Sequence, residues 1–431
     1  MPLPTGLGRT VGLLLLGALA LRLSLVPLLN ADLTYYVLPW LEAVREEGAA
    51  VFGRDLTDYA PAYTYLLWLV SCVPETLLRP VAAVKLISFA GDAAMAGAAF
   101  LLVRGLTGGD AARAALGAAL VFALPVGIAN SAAWGQTDAV WTACLLLAVL
   151  AIHRDRPLAA VIGFGLGFAY KPQAAFFGPV LLAFLLARRA AAGDCAAGPA
   201  GRRRAPDGWG SAAWLTLAPL PYLVLALPPV LMGRPWDSVF GVYARQFEER
   251  ERLSNAAPNL WAWYPHGPEW LVLGGLAFGA AVGAALAWGL VRHRDRLLQG
   301  EGLLMAAAFA CMVLPFVTPK VHDRYAFAGE VMLVLAAVLR PRLAAAAIAA
   351  QVAALLAYQP MLLAFFGWRV RTGSLFELAA LILLAAELVR EARLADRAAG
   401  VLRSVRGLAH HPAWTNEPGG GRRHEPRRRG A

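Results

Sequence analysis

Apolar stretches long enough to cross a lipid bilayer recur along nearly the whole of this chain, from residues 11–29 to residues 375–388. About 20 such residues, rising 1.5 Å each, cross the hydrocarbon core as a helix, and lipid obliges the backbone to satisfy its own hydrogen bonds. Hydrophobic residues make up 59% of the 431 and charged ones only 16%, which leaves no room for a sizeable soluble domain. The expected fold is all-α, a polytopic transmembrane helical protein of about twelve spans. They fall at 11–29, 84–103, 114–128, 139–152, 158–170, 174–187, 212–232, 270–291, 303–317, 326–339, 343–361 and 375–388.

The net charge of +11 reflects arginine concentrated in short loops and the C-terminal tail. The span count puts Arg9, Arg104, Arg113, Arg154, Arg156, residues 188–204, Arg292, Arg294, Arg296, Arg340 and Arg342 on one side, with the tail. That side is the cytoplasm by the positive-inside rule. The arginines read as topology signals facing anionic lipid, and no nucleic acid is expected as a partner. Residues 30–83 become one long external loop. Its apolar piece 63–73 has about eleven residues where about 20 are needed, and crossing there would put Arg104 and Arg113 outside. Two interfacial helices are expected instead, at 32–47 and 63–73. Ala18-Leu19-Ala20 resembles a signal-peptide cleavage site, but the long stretch leading into further spans favours an uncleaved first helix. Cys72, Cys144, Cys195 and Cys311 form no C-x-x-C pair, so no metal knuckle is expected. Residues 193–210 and 410–431 are Gly/Pro/Arg-rich and expected to be flexible, and 394–408 has the spacing of a membrane-surface helix.

With this orientation, the unusual polar residues collect on the external face. A lysine at mid-bilayer costs about 2.5–3.5 kcal/mol, and a proline inside a helix about 3 kcal/mol. Lys171-Pro172-Gln173 therefore predicts two short helices meeting in a hydrated notch. Asp32 follows the first span and is either a general base or a helix N-cap. Asp58-Tyr59 supplies a second acid beside an aromatic cluster. Trp134-Gly135-Gln136-Thr137-Asp138 offers a tight turn with hydrogen-bonding side chains at a helix entrance. Lys320, His322, Asp323, Arg324 and Tyr325 gather two fixed cations, an imidazole and a carboxylate, a set suited to a phosphate or to an interfacial salt-bridge cluster. Asn255, Asn259 and Trp261 combine amides with an indole, a pairing suited to a sugar or a polar headgroup. No Gly-rich phosphate loop, H-E-x-x-H or nucleophile elbow is present.

The order of Asp32, Asp58-Tyr59-x-Pro61, Lys85 with Asp92, W-G-Q-x-D, K-P-Q, N-L-W and H-D-R-Y resembles the GT-C glycosyltransferases. It is most similar to bacterial proteins related to the second GPI mannosyltransferase (PIG-V-like), over about residues 11–339. Ala60 stands where that pattern often has the first of two prolines. The resemblance implies inverting transfer of one sugar, mannose foremost, from a polyprenyl-phosphate donor to a hydroxyl of a glycan, glycolipid or glycoprotein. Asp32 takes the base role, and Arg324, His322, Lys320 and Lys171 hold the leaving phosphate. Asp58, Tyr59, Lys85, Asp92, Trp134, Gln136, Asp138, Gln173, Asn255, Asn259 and Tyr325 shape the sugar and acceptor pockets. It implies no cofactor and indicates no metal. The protein is then a multi-pass cell-membrane enzyme with an external active site and membrane lipids for neighbours. Residues 1–340 form the catalytic module, 341–392 the C-terminal spans and 393–431 a basic cytoplasmic tail. The alternative is a secondary transporter or flippase, which also uses broken helices and intramembrane charges.

Overall fold

The computed structural model of the chain describes residues 5–194, 213–249, 252–363 and 368–409. The two segments expected to be flexible lie outside these residues except for 193–194. The longer helices are α1 (Thr5–Leu25), α2 (Leu38–Glu47), α3 (Pro61–Ser71), α4 (Pro80–Leu106), α5 (Ala111–Phe122), α6 (Asp138–His153), α7 (Pro157–Tyr170) and α8 (Gly178–Asp194). They continue as α9 (Leu220–Leu231), α10 (Val242–Glu248), α11 (Glu269–Arg292), α12 (Gly300–Val317), α13 (Phe327–Leu339), α14 (Ala344–Leu363) and α15 (Trp368–Ala409). The expected surface helix at 394–408 is the continuation of α15 rather than a separate element.

Seven helices are long and apolar enough to cross a membrane, and an eighth span forms if the pair Ala111–Phe122 and Pro125–Trp134, bent by 45°, is counted as one. Each remaining apolar segment folds as a shorter helix: Asp138–His153, Pro157–Tyr170, Pro172–Arg188 and Phe327–Leu339. At 1.5 Å per residue each is shorter than the hydrocarbon core of about 30 Å.

The break at Lys171 forms as its sequence requires. Pro172 disfavours the helical conformation for the residue before it, and Lys171 is extended, with φ −150° and ψ 136°. A 3₁₀ turn, Pro172–Phe177, then leads into α8. Both helices expected in loop 30–83 also form. They do more than lie on a surface, because Leu41, Val44, Phe52, Tyr63 and Leu67 build a separate small core against Val84 and Ile87 of α4. This core fixes the loop that carries Asp32 and Tyr59.

Two residues expected in a substrate pocket are used elsewhere. Lys85 is fully buried, and its Nζ donates to Leu25 O at 2.8 Å and Leu28 O at 2.7 Å. It thus satisfies carbonyls at the C-terminal end of α1, where a cation also suits the helix dipole. Asp92 Oδ2 accepts from Arg22 Nε at 2.8 Å, with both side chains buried. This pair pins α1 to α4. Within a span, a charge facing a neighbouring helix needs such a partner.

Candidate active site

The bundle has two polar ends. At one, His153, Arg188, Arg294, Arg296 and Arg340 line a cavity of about 720 Å³. At the other, Asp58, Tyr59, Lys171, Gln173, Asn255, His322, Arg324 and Tyr325 line a cavity of about 450 Å³. Residues from Asp58-Tyr59, K-P-Q, the Asn255 segment and H-D-R-Y thus come together at one end of the bundle.

Asp32 is not a helix N-cap. Its own backbone is helical and its side chain makes no capping bond. Its Oδ2 instead accepts from Trp134 Nε1 at 2.7 Å and from Gln136 Nε2 at 3.2 Å. Asn30 holds the two segments together, donating from Nδ2 to Trp134 O at 2.8 Å and accepting Leu33 N at 3.1 Å. Gly135 sits between the two donors at φ 85°, where a Cβ would come within 2.8 Å of the Leu33 side chain. Only glycine fits both the left-handed backbone and the close approach.

Gln136 reaches the other way as well. Its Oε1 accepts from Lys171 Nζ at 3.2 Å and from Tyr59 OH at 3.3 Å. Lys171 Nζ donates to Asp138 Oδ1 at 2.8 Å and lies 5.5 Å from the Tyr59 ring centroid. Asp138 is the hub of the buried side. Its Oδ1 also accepts from Trp141 Nε1 at 2.9 Å, its Oδ2 from Asn130 Nδ2 at 2.8 Å, and Arg324 Nε stands 3.6 Å from Oδ2. With three hydrogen bonds accepted and a guanidinium close by, Asp138 holds cations in position.

The H-D-R-Y segment joins through a short parallel pairing, β1 (Ser254–Asn255) against β2 (Val321–His322). Further bonds lock it, from Lys320 N to Leu253 O at 2.7 Å and from Asp323 N to Asn255 O at 3.2 Å. The Arg324 guanidinium stacks over Trp134, 4.9 Å from the ring centroid, with Nη1 3.5 Å from Asp323 Oδ1. Burial opposes the Arg324 charge, but Tyr59, Asp323, Asp138 and Asp32 outweigh it and raise its pKa. Burial pushes Asp323 up to about 7 against the pull of Arg324, with Asp32 and Asp138 adding to the rise. At the mouth, burial raises Asp58, helped by Glu249 and Asp55 and opposed by Arg245.

A family model for glycosyltransferase family 87 matches residues 58–315, more than half of the chain. The chain belongs to glycosyltransferase family 87. It is a GT-C-like membrane glycosyltransferase, so it acts on a sugar donor and a glycan acceptor, and transfer replaces transport as its class of activity. No curated protein matches it. The matched region of this family 87 chain begins at Asp58 and ends within α12, so Asp32 precedes it and Arg324 follows it.

Asp32, Trp134, Gln136 and Asp138 stand behind the cavity lining, joined to it through Tyr59, Lys171 and Arg324, and two further expected residues are engaged elsewhere. Asn259 Nδ2 donates to Pro315 O at 3.3 Å and Thr318 O at 3.5 Å, beside Trp261 Nε1 on Val317 O at 2.8 Å. Both side chains satisfy the last carbonyls of α12, a structural duty. Lys320 lies in an adjoining cavity of about 150 Å³ with Phe176 and Phe247, its Nζ donating to Phe247 O at 3.3 Å. Among the described residues, Gln173 Oε1 and Asn255 Nδ2 are buried without a hydrogen-bond partner, and both residues line the main cavity. Buried polar atoms of this kind await a ligand or water. Sequence reasoning missed Asn30, Asn130 and Tyr358, and the cavity residues Tyr170, Tyr243, Gln246, Glu249 and Arg252. Adjacency to Asp32 was the one signal for Asn30. Among the described residues, no group of three or more His, Cys, Asp or Glu is arranged to hold a metal ion.

Proposed function

We propose that this enzyme moves one sugar, mannose foremost, from a polyprenyl-phosphate carrier to an acceptor hydroxyl with inversion, on the external face of the cell membrane. The observation that carries this reading is the double reach of Gln136, which donates to Asp32 through Nε2 and accepts from Lys171 through Oε1. One amide thereby spaces a carboxylate from a cation.

The chemistry asks for that pairing. The acceptor oxygen attacks the anomeric carbon as its proton passes to the Asp32 carboxylate. The bond from the anomeric carbon to the phosphate oxygen breaks, and its electrons leave with the carrier phosphate. A hydroxyl is a poor nucleophile at neutral pH, so a positioned base contributes about 10²–10⁴-fold. Lys171 and Arg324 supply positive charge for the departing phosphate, and His322 a ring N–H donor. Tyr59, Asp58, Gln173, Asn255 and Tyr325 face the remaining space and suit sugar hydroxyls. A lipid-linked donor fits a cavity at one end of a helical bundle, because its phosphate enters from the bilayer while its tail stays in lipid. The choice of mannose rests on the motif likeness to the PIG-V-like proteins, and the external face on the arginine distribution.

The test is mass spectrometry of lipids and glycans from a deletion strain. A species short by one hexose, restored by the intact gene, is the expected result. An unchanged glycan and glycolipid profile, together with no transfer from polyprenyl-phosphate mannose by the purified protein, overturns the reading.

A further inference from the structure

Helices α14 and α15 follow the region matched by the family model, and the sequence marks them only as spans. Yet one α14 side chain reaches the centre of the site. Tyr358 is 1% exposed, and its ring meets Trp134 edge-to-face, with centroids 5.3 Å apart and planes at 86°. Its hydroxyl accepts from Asn130 Nδ2 at 3.3 Å, and the same nitrogen donates to Asp138 Oδ2 at 2.8 Å. Trp134 in turn donates to Asp32.

The ring contact has a specific consequence. Trp134 lies in a π-helical turn, Ala129–Trp134, that ends at the left-handed Gly135, so its backbone is set by an irregular segment rather than a regular ladder. The angle of its indole is fixed by what packs on it: Arg324 over the ring at 4.9 Å and Tyr358 on an edge. Arg324 is also the cation assigned to the donor phosphate and lines the cavity. Tyr358 does not line the cavity, so of the two supports it is the one with no place at the substrate. Edge-to-face aromatic pairs carry this kind of geometric preference. Neighbouring contacts join α15 to α14 and to the loop before α11: Gly373 packs where a Cβ would come within 3.1 Å of Ala353 O and 3.3 Å of Pro258 Cβ, and Trp263 Nε1 donates to Ser374 Oγ at 2.8 Å.

We propose that Tyr358 is a positioning residue for the transfer step: its ring fixes the Trp134 indole so that the N–H meets Asp32, which makes α14 part of the active centre. This rests on the reading of Asp32 as the base.

The experiment compares Tyr358→Phe, Tyr358→Leu, Tyr358→Met and Trp134→Phe in the purified full-length enzyme, with Asp32→Asn alongside. A small displacement of a catalytic group costs up to about a hundredfold in rate. Tyr358→Leu and Tyr358→Met should lower kcat by about ten- to a hundredfold, with donor and acceptor KM held within about twofold. Trp134→Phe, which keeps an aromatic ring but loses the N–H and the second ring of the indole, should lower kcat at least as much. Tyr358→Phe, which keeps the edge-to-face contact and loses only the long bond to Asn130, should restore kcat to within about threefold. If Tyr358→Leu does not fold, Tyr358→Met decides. Equal losses in Tyr358→Phe and Tyr358→Met, a KM that rises in step with the fall in kcat, or normal turnover in Tyr358→Met overturns the proposal. Near-normal turnover of Asp32→Asn overturns the base reading instead, so the two failures are told apart.

Discussion

The indole N–H of Trp134 donates to the Asp32 carboxylate at 2.7 Å, joining the loop after the first span to the turn before α6. With Gln136 on the same oxygen, that carboxylate is oriented from one side and leaves its other oxygen for a proton. The remaining charges of the site are arranged around Asp138, on the far side of Gln136 from Asp32.

Orientation in the membrane is tested by impermeant thiol labelling of intact cells. The native thiols must be removed first, since Cys72 is exposed. A cysteine at Asp58 should react from outside. One at Asp295, whose side chain is 87% exposed beside the arginine-lined cavity, should react only after permeabilisation. The reverse pattern inverts the topology.

Arg324→Ala should weaken donor use more than acceptor use. Losing a hydrogen bond to a charged group costs about 1.5–3 kcal/mol, or about ten- to a hundredfold in donor kcat/KM. Arg324→Lys should recover only part of this, because the ammonium lacks the planar fork that meets phosphate through two bonds. Unchanged donor kinetics in Arg324→Ala would remove it from the phosphate site.

Asp323 predicts a pH dependence. Its carboxyl titrates at about 7, above the ordinary carboxylate value, so it is neutral below that pH and ionised above it. The charged groups facing it are Arg324, Asp32 and Asp138. Once ionised, it competes with the donor phosphate for Arg324, 3.5 Å away. Donor kcat/KM should therefore fall as pH rises through about 7. Asp323→Asn should flatten that fall, which separates Asp323 from the neighbouring His322. A profile unchanged by Asp323→Asn contradicts the assignment.

Lys85 and Asp92 should behave as structural residues. Asp92→Asn leaves Arg22 buried without its counter-ion, and breaking a buried pair costs about 3–5 kcal/mol. A lower Tm in detergent is expected, with donor and acceptor KM unchanged in whatever folded enzyme remains. A selective rise in either KM with no loss of Tm would return Asp92 to the substrate pocket.

The parts of the fold that were legible follow from strong local penalties. A lysine and a proline in mid-span force a break, and Lys171 sits in one. Arginine in successive short loops fixes which ends of the spans share a side, and the motifs at the other ends do meet. Single polar residues inside apolar helices have the same chemistry whether they face a cavity or a neighbouring helix. Lys85 and Asp92 looked like ligands, yet they satisfy carbonyls and an arginine, and Asn259, in a loop, caps the end of α12. Tyr358 lies in an expected span and Asn130 just beyond one, yet both touch the residues around Asp138 and Trp134. Which of these holds depends on helix packing, and no pattern within one helix reports it.

Turnover of Asp32→Asn tests the central claim most directly. Asparagine keeps the size of the side chain and can accept the Trp134 bond, but it cannot take up the acceptor proton. With purified protein, a short-chain polyprenyl-phosphate mannose and the acceptor found in the deletion strain, kcat should fall by about 10²–10⁴-fold while donor KM and Tm stay near wild type. Turnover near wild type in Asp32→Asn, with Asp58→Asn inactive, would transfer the role to Asp58. Near-normal turnover in both variants would contradict a carboxylate base altogether.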